Sequence, residues 1–166
     1  MVFFTPDGYF KSVTQIPVSL LQQRGIRGVL FDLDNTITTW NQLDCSQEVK
    51  EWFIHLQEAG IKACILSNNC EARVEPVASV LNISFVAEAK KPFSNGYRRG
   101  MAVLETSPQD TLMVGDQLLT DIAGAKRLGI CCFLVEPIST EKEYWFTTYV
   151  NRPLERWLLR RKKLQA

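Results

Sequence analysis

Short apolar runs alternate along this chain with stretches whose apolar residues recur every third or fourth position, and that alternation leaves few folds open. A short apolar run between turn signals suits a strand buried on both faces, while a 3.6-residue stripe suits a helix buried on one. Strands and helices that alternate build βαβ units and a parallel sheet. Val29-Leu30-Phe31, after Gly28, reads as a fully buried strand. Val49, Trp52, Phe53, Leu56 and Ala59 fall at helical spacing, with Gly60 as the stop. Ala63-Cys64-Ile65-Leu66 is the next strand. Val74, Val77, Ala78 and Leu81 form a second helical stripe, whose start Pro76 constrains. Ile83 to Val86 reads as a strand, Gly96 to Leu104 as a helix, and Thr111 to Val114 as a strand. Thr120 to Leu128 reads as a helix closed by Gly129, and Ile130 to Val135 as the final strand. The expectation is one α/β domain over residues 1–166, a Rossmann-like parallel sheet flanked by helices, with a basic tail at residues 150–166.

Composition narrows the function classes. Lys and Arg number 19 against 18 Asp and Glu, a net charge of +1, so a strongly basic nucleic-acid binder is not indicated. No apolar run approaches the ~20 residues of a membrane-spanning helix. Asp7 interrupts the N-terminus, which lacks the basic-then-apolar layout of a secretory leader, so a cytoplasmic location is expected. The five cysteines, Cys45, Cys64, Cys70, Cys131 and Cys132, are odd in number and contain no Cys-x-x-Cys pair. They read as buried or half-buried free thiols of a reducing compartment. His55 is the only histidine and lies in a helical stripe, which leaves nothing to build a histidine metal site or a Ser-His-Asp triad.

In an open α/β sheet, ligands bind beyond the carboxyl ends of the strands, where the strand order switches. Asp32-Leu33-Asp34-Asn35-Thr36 follows the first buried strand. Residues i and i+2 of an extended segment point the same way, so Asp32 and Asp34 are expected to enter the crevice together. Two neighbouring carboxylates repel, and a hard divalent cation such as Mg²⁺ relieves that repulsion. One carboxylate can then attack while its neighbour handles a proton. A turn and helix cap would use the same residue types. Ser67-Asn68-Asn69 ends the second strand, where a hydroxyl and backbone N–H groups can hold phosphate oxygens, or simply cap a helix. Lys90-Lys91-Pro92 follows the third strand and offers a point charge for phosphate. The residues alone do not choose between the two lysines; Lys91 is preferred because Pro92 fixes the backbone beside it. Gly115-Asp116-Gln117 ends the fourth strand, where Gly115 is expected to allow a sharp turn and Asp116 to complete a metal site. Asp121 reads either as a further acidic group or as a helix-terminal aspartate favoured by the dipole.

Taken together and in this order, these segments resemble the haloacid dehalogenase (HAD) superfamily of phosphatases. Asp32-Leu33-Asp34-Asn35-Thr36 matches its first motif, Ser67-Asn68 the second, Lys91-Pro92 the third, and Gly115-Asp116 with Asp121 the fourth. The resemblance implies Asp32 as nucleophile and Asp34 as general acid/base, which also lends its backbone carbonyl to Mg²⁺. It implies Ser67, Asn68 and Lys91 as phosphate ligands, and Asp116 beside Asp32 as a metal ligand. The second aspartate separates phosphatases from dehalogenase relatives, which lack it. The intervals between motifs leave no room for a cap domain, so the resemblance is to the capless subclass III. Pro6, Leu20 to Gly28, Asn69, Val135-Glu136-Pro137-Ile138 and Asn151-Arg152-Pro153-Leu154-Glu155 are similar to the YqeG-type branch of subclass III A. That branch resembles phosphatidylglycerophosphate phosphatases, which implies a phospholipid substrate.

The tail gathers Arg152, Arg156, Arg160, Arg161, Lys162 and Lys163 around Leu154, Trp157 and Leu158. Such a segment suits either the surface of an anionic membrane or a docked terminal helix. Phe3, Phe4, Tyr9 and Phe10 likewise read as core or subunit contact, or as a membrane-facing edge. The expected partner is a phosphate ester, an anionic phospholipid at a membrane surface being the leading form. Alternatives are a soluble sugar phosphate or nucleotide, a nucleic-acid end, and a binding module without turnover. A homo-oligomer stays open.

Overall fold

In the computed structural model, which describes residues 4–139, successive strand residues feed two separate cores. Val29, Phe31, Ile65, Val114 and Phe133 pack on one face of the sheet, and Leu30, Cys64, Leu66, Met113 and Leu134 on the other. The middles of the central strands are therefore apolar because both faces are covered, while polar Lys62 and Ser84 open β3 and β4 at exposed positions. They are β1 (Gly8–Phe10), β2 (Gly28–Phe31), β3 (Lys62–Leu66), β4 (Ser84–Val86), β5 (Thr111–Gly115) and β6 (Cys131–Val135). The helices are α1 (Val18–Gln23), α2 (Gln47–Glu58), α3 (Glu71–Leu81), α4 (Ser94–Leu104) and α5 (Ala123–Arg127). The first face carries Leu21 of α1, Trp52, Phe53 and Leu56 of α2, and Val74 and Val77 of α3. The second carries Tyr97, Met101 and Leu104 of α4 and Ala125 of α5. Phe31, Trp52 and Phe53 form a ring cluster with centroids 4.9–5.8 Å apart, and Trp52 Nε1 donates to the Ile16 carbonyl at 3.0 Å.

The sheet order is β1-β6-β5-β2-β3-β4, with every pairing parallel. The chain passes from β2 outward through β3 to β4, then crosses to β5 on the other side of β2. The order therefore switches between β2 and β5, and it is beyond the carboxyl ends at such a switch that open α/β sheets bind ligands. Between Asp34 and Ser67 the chain holds a loop, α2 and β3; between Ser67 and Lys91 it holds α3 and β4.

The structure departs from the periodicity in several places. β1 has only three residues, too few for a pattern, and its Phe10 ring lies 5.2 Å from Phe133. Of the two readings for that apolar N-terminal segment, Phe10 takes the core one. α3 begins at Glu71, so Pro76 lies inside it and does not mark its start. The helix expected from Thr120 opens earlier, as a π-helical turn at Leu118–Ile122 that leads into α5. Cys70 is exposed, against the expectation of burial, because it sits on the turn before α3; Cys45, Cys64 and Cys132 are buried, and all five are free. Burial pushes the Cys64 and Cys132 thiols up to about 12. The basic tail, Phe3 and the Asn151–Glu155 stretch lie outside the described residues.

Candidate active site

Parallel pairing of β2 with β5 brings two strand ends side by side. Asp32 N–H donates to the Val114 carbonyl at 2.9 Å, which sets Asp32 beside the Gly115-Asp116 turn. Asp32, Asp116 and Asp121 are all buried, and one carboxylate oxygen from each lies within 4.8 Å of the other two. Three buried carboxylates so close are not stable without compensating positive charge. Lys91 supplies part of it. Its Nζ donates to Asp32 Oδ1 at 2.6 Å and to Asp121 Oδ1 at 2.7 Å, and its side chain is 2% exposed. Lys90 is exposed and has no such contact.

The electrostatics follow from this packing. Burial raises the Asp32 carboxyl well above the usual carboxylate range, and the charges of Asp121 and Asp116 add to that, while Lys91 opposes it. Burial alone would lower the Lys91 ammonium, but Asp121 and Asp32 more than offset it and hold it above lysine's ordinary range. With all three carboxyls ionised beside the one ammonium, the cluster carries two excess negative charges, which is the state that burial and mutual repulsion disfavour. A dication with hard oxygen ligands matches both the charge and the donor set.

Gly115 serves this cluster in a way the residue type alone does not indicate. Its backbone is not left-handed; instead, a Cβ there would overlap the Asp121 carboxylate. The turn expected of it is secondary to the space it leaves. Asp121 itself sits in the π-helical turn, where its Oδ2 accepts the Gln117 N–H at 3.0 Å. Such wide turns recur at functional sites. Buried Tyr97 braces this turn from α4 by donating to the Thr120 carbonyl. Thr36 Oγ1 donates to Asp116 Oδ1 at 3.4 Å.

The other expected residues divide. Ser67 is buried, and its Oγ accepts the Asn69 N–H at 3.1 Å, which leaves its own O–H to donate. The Asn68 carboxamide is engaged with the Lys91 main chain, accepting its N–H at 2.6 Å and donating to its carbonyl at 3.1 Å. Asn68 thus reaches the cluster by fixing Lys91. Asp34 is not part of the carboxylate cluster. Its Oδ2 accepts from Asn69 Nδ2 at 2.9 Å and its Oδ1 from Arg73 Nη2 at 2.8 Å. Tyr97 and Arg73 escape a reading by motifs; the signal available for Arg73 is a cation in the first turn of a helix, where acids are favoured.

A family model described as mitochondrial PGP phosphatase matches residues 2–139. The probable phosphatase YqeG of Bacillus subtilis (strain 168) is 37% identical over 157 residues, covering 95% of this chain and 90% of that protein. The chloroplastic phosphatidylglycerophosphate phosphatase 1 of Chlamydomonas reinhardtii is 27% identical over 149 residues, covering 84% of this chain but 55% of that protein, so this chain spans about half its length. Among solved structures, a HAD phosphatase from Thermococcus onnurineus shares the fold with a TM-score of 0.54 at 15% identity, covering 72% of this chain and 90% of that one.

Proposed function

Because this chain belongs to the mitochondrial PGP phosphatase family, and is thereby a HAD-type hydrolase of phosphate monoesters, we propose that it takes a phosphatidylglycerophosphate-like lipid and attacks it through Asp32. The observation that carries the reading is Lys91 Nζ, buried between Asp32 and Asp121 at the switch point, with Asp116 alongside. Phosphate monoesters are among the slowest bonds to hydrolyse unaided, with accelerations up to ~10²¹ known, and most of the task is positioning and charge neutralisation.

In this proposal the Asp32 carboxylate forms a bond to phosphorus as the ester P–O bond breaks. Asp34 gives its proton to the departing alkoxide. Water then attacks the aspartyl-phosphate, Asp34 takes the water's proton, and phosphate leaves with Asp32 restored. Ser67 donates its hydroxyl to a phosphate oxygen, and Lys91, held by Asn68, neutralises the group in transfer. Asp32, Asp116 and the Asp34 backbone carbonyl would hold Mg²⁺, with Asp121 as a further acidic group, and the ion would offset charge on the phosphate oxygens.

The lipid reading has support beyond the relatives' names. Of the eight large hydrophobic residues exposed among the described residues, four (Trp40, Leu43, Phe93 and Ile138) follow the carboxyl ends of strands, the end that carries the carboxylates. Large apolar and aromatic side chains at one end suit contact with a lipid surface. Among the described residues no helix is long and apolar enough to cross a membrane, and the proposed contact is at the membrane surface.

The test is phosphate release from phosphatidylglycerophosphate in mixed micelles, with Mg²⁺ and then with EDTA, beside a panel of soluble esters. Mg²⁺-dependent preference for the lipid is expected. Activity on soluble esters alone would remove the lipid, and an active Asp32→Asn variant would remove the nucleophile.

A further inference from the structure

Arg73 occupies the third position of α3, inside its first turn. The helix dipole favours acids there and disfavours cations, so forming α3 gives no reason for arginine. The side chain is 12% exposed, and its Nε and Nη1 are buried without a hydrogen-bond partner. Unsatisfied buried donors on a charged group destabilise a fold. Only Nη2 is bonded. It donates to Asp34 Oδ1 at 2.8 Å and to the Thr39 carbonyl at 2.9 Å.

We propose that Arg73 is the positioning residue for Asp34. It aims the Asp34 carboxyl group, which in its protonated form protonates the departing alkoxide, and ties the loop bearing it to α3; this rests on the reading of Asp34 as proton donor. Asp34 has one donor on each oxygen, Arg73 Nη2 on Oδ1 and Asn69 Nδ2 on Oδ2. Rotation of the carboxylate breaks at least one of these bonds. Residues 34 and 39 of the same loop share Nη2, so the loop closes around one nitrogen. Orientation matters because proton transfer requires heavy atoms within about 2.6–3.2 Å of each other. Mostly covered and already bonded to Asp34, Arg73 acts on the reaction through that residue.

A leaving group that needs no proton separates this role from a structural one. p-Nitrophenolate departs unprotonated, whereas a lipid alkoxide requires a proton. The value of kcat/KM covers the steps through leaving-group departure and is blind to later hydrolysis of the aspartyl-phosphate. Arg73→Gln is expected to lower kcat/KM on phosphatidylglycerophosphate micelles by about 10²-fold, the lower range for general acid catalysis. On p-nitrophenyl phosphate the loss should stay within about threefold. Arg73→Lys, which keeps the charge but not the planar fork, should recover part of the lipid activity and guards against a Gln variant that fails to fold. Asp34→Asn should show the same split, and the double variant no further loss. Equal losses on both esters, or no loss on either, would overturn the proposal. A wild-type protein inactive on both would instead overturn the phosphatase reading, and an Asp34→Asn variant without the split would overturn the proton-donor reading and this proposal with it.

Discussion

The two ends of the sheet are built to different rules. At the amino ends of the strands, every helix-to-strand turn has a left-handed residue: Gly25, Gly60, Asn82, Glu105 and Gly129. Their charges form exposed or half-exposed pairs, Arg27 with Asp110 and Lys62 with Glu105. The carboxyl-end turns also carry left-handed residues, Asn35, Glu88 and Lys90, but this end adds three buried carboxylates, a buried ammonium and, in the first turn of α3, an under-bonded guanidinium. The first end is arranged for helix termination, with polar groups left to water. The second concentrates buried charge, which lowers stability unless a ligand or ion compensates. A fold can accommodate such a cluster because the opposite end places no comparable demand on it.

The largest expected break in this contrast is Lys91→Met. It leaves Asp32 and Asp121 buried without their cation and should cost roughly 3–5 kcal/mol in urea unfolding with EDTA present. If Mg²⁺ binds the carboxylates as proposed, adding it should return part of that loss. Gly115→Ala comes next. Its methyl would displace the Asp121 carboxylate, and phosphate release should fall by about 10²-fold, as expected when a catalytic constellation shifts by an ångström. Gly60→Ala sharpens the comparison from the other end. Nothing lies within 4 Å of the added Cβ, but φ is +75°, so about 1 kcal/mol of stability should go with turnover unchanged. The smallest effect belongs to Asp7, whose carboxylate meets Lys126 at 2.6 Å and the Cys132 N–H at 2.8 Å beside β1. Burial raises this carboxyl, but those partners together lower it below 3.8. Its contribution is therefore present above pH 3.8 and is lost as pH falls through the lower folded value. Asp7→Asn should cost under ~1 kcal/mol at neutral pH, since the pair is partly solvated, and nothing at the acid end of a pH-stability series.

The sheet was legible because the central part of a strand buried on both faces must be apolar, and Val29 to Phe31 and Leu112 to Val114 are. The four polar segments at strand ends were legible because parallel pairing places every such end on one side. What escaped the sequence depends on tertiary contact. β1, a Gly-Tyr-Phe of partly exposed residues, has neither a period nor the aliphatic residue that marks the equally short β4. The π-helical turn at Leu118–Ile122 breaks the 3.6-residue rule on which helix reading rests. Which of Lys90 and Lys91 turns inward is decided by the grip of Asn68 on the Lys91 backbone, 23 residues away in sequence. The space that Gly115 leaves for Asp121 is likewise invisible until the wide turn folds back.

β1 pairs with β6, and Asp7 meets a residue 125 positions along the chain. At a synthesis rate of about 5–20 residues per second, this strand emerges on the order of ten seconds before its partner exists. The inner pair β2 and β3 needs far less chain, since Gly28 lies opposite Lys62. Assembly during translation should therefore run from the middle of the sheet outward, with the segment made first seated last. Until then the Phe133 side of β6 has no cover from Phe10, and the nascent protein carries an open strand edge just as β6 is completed.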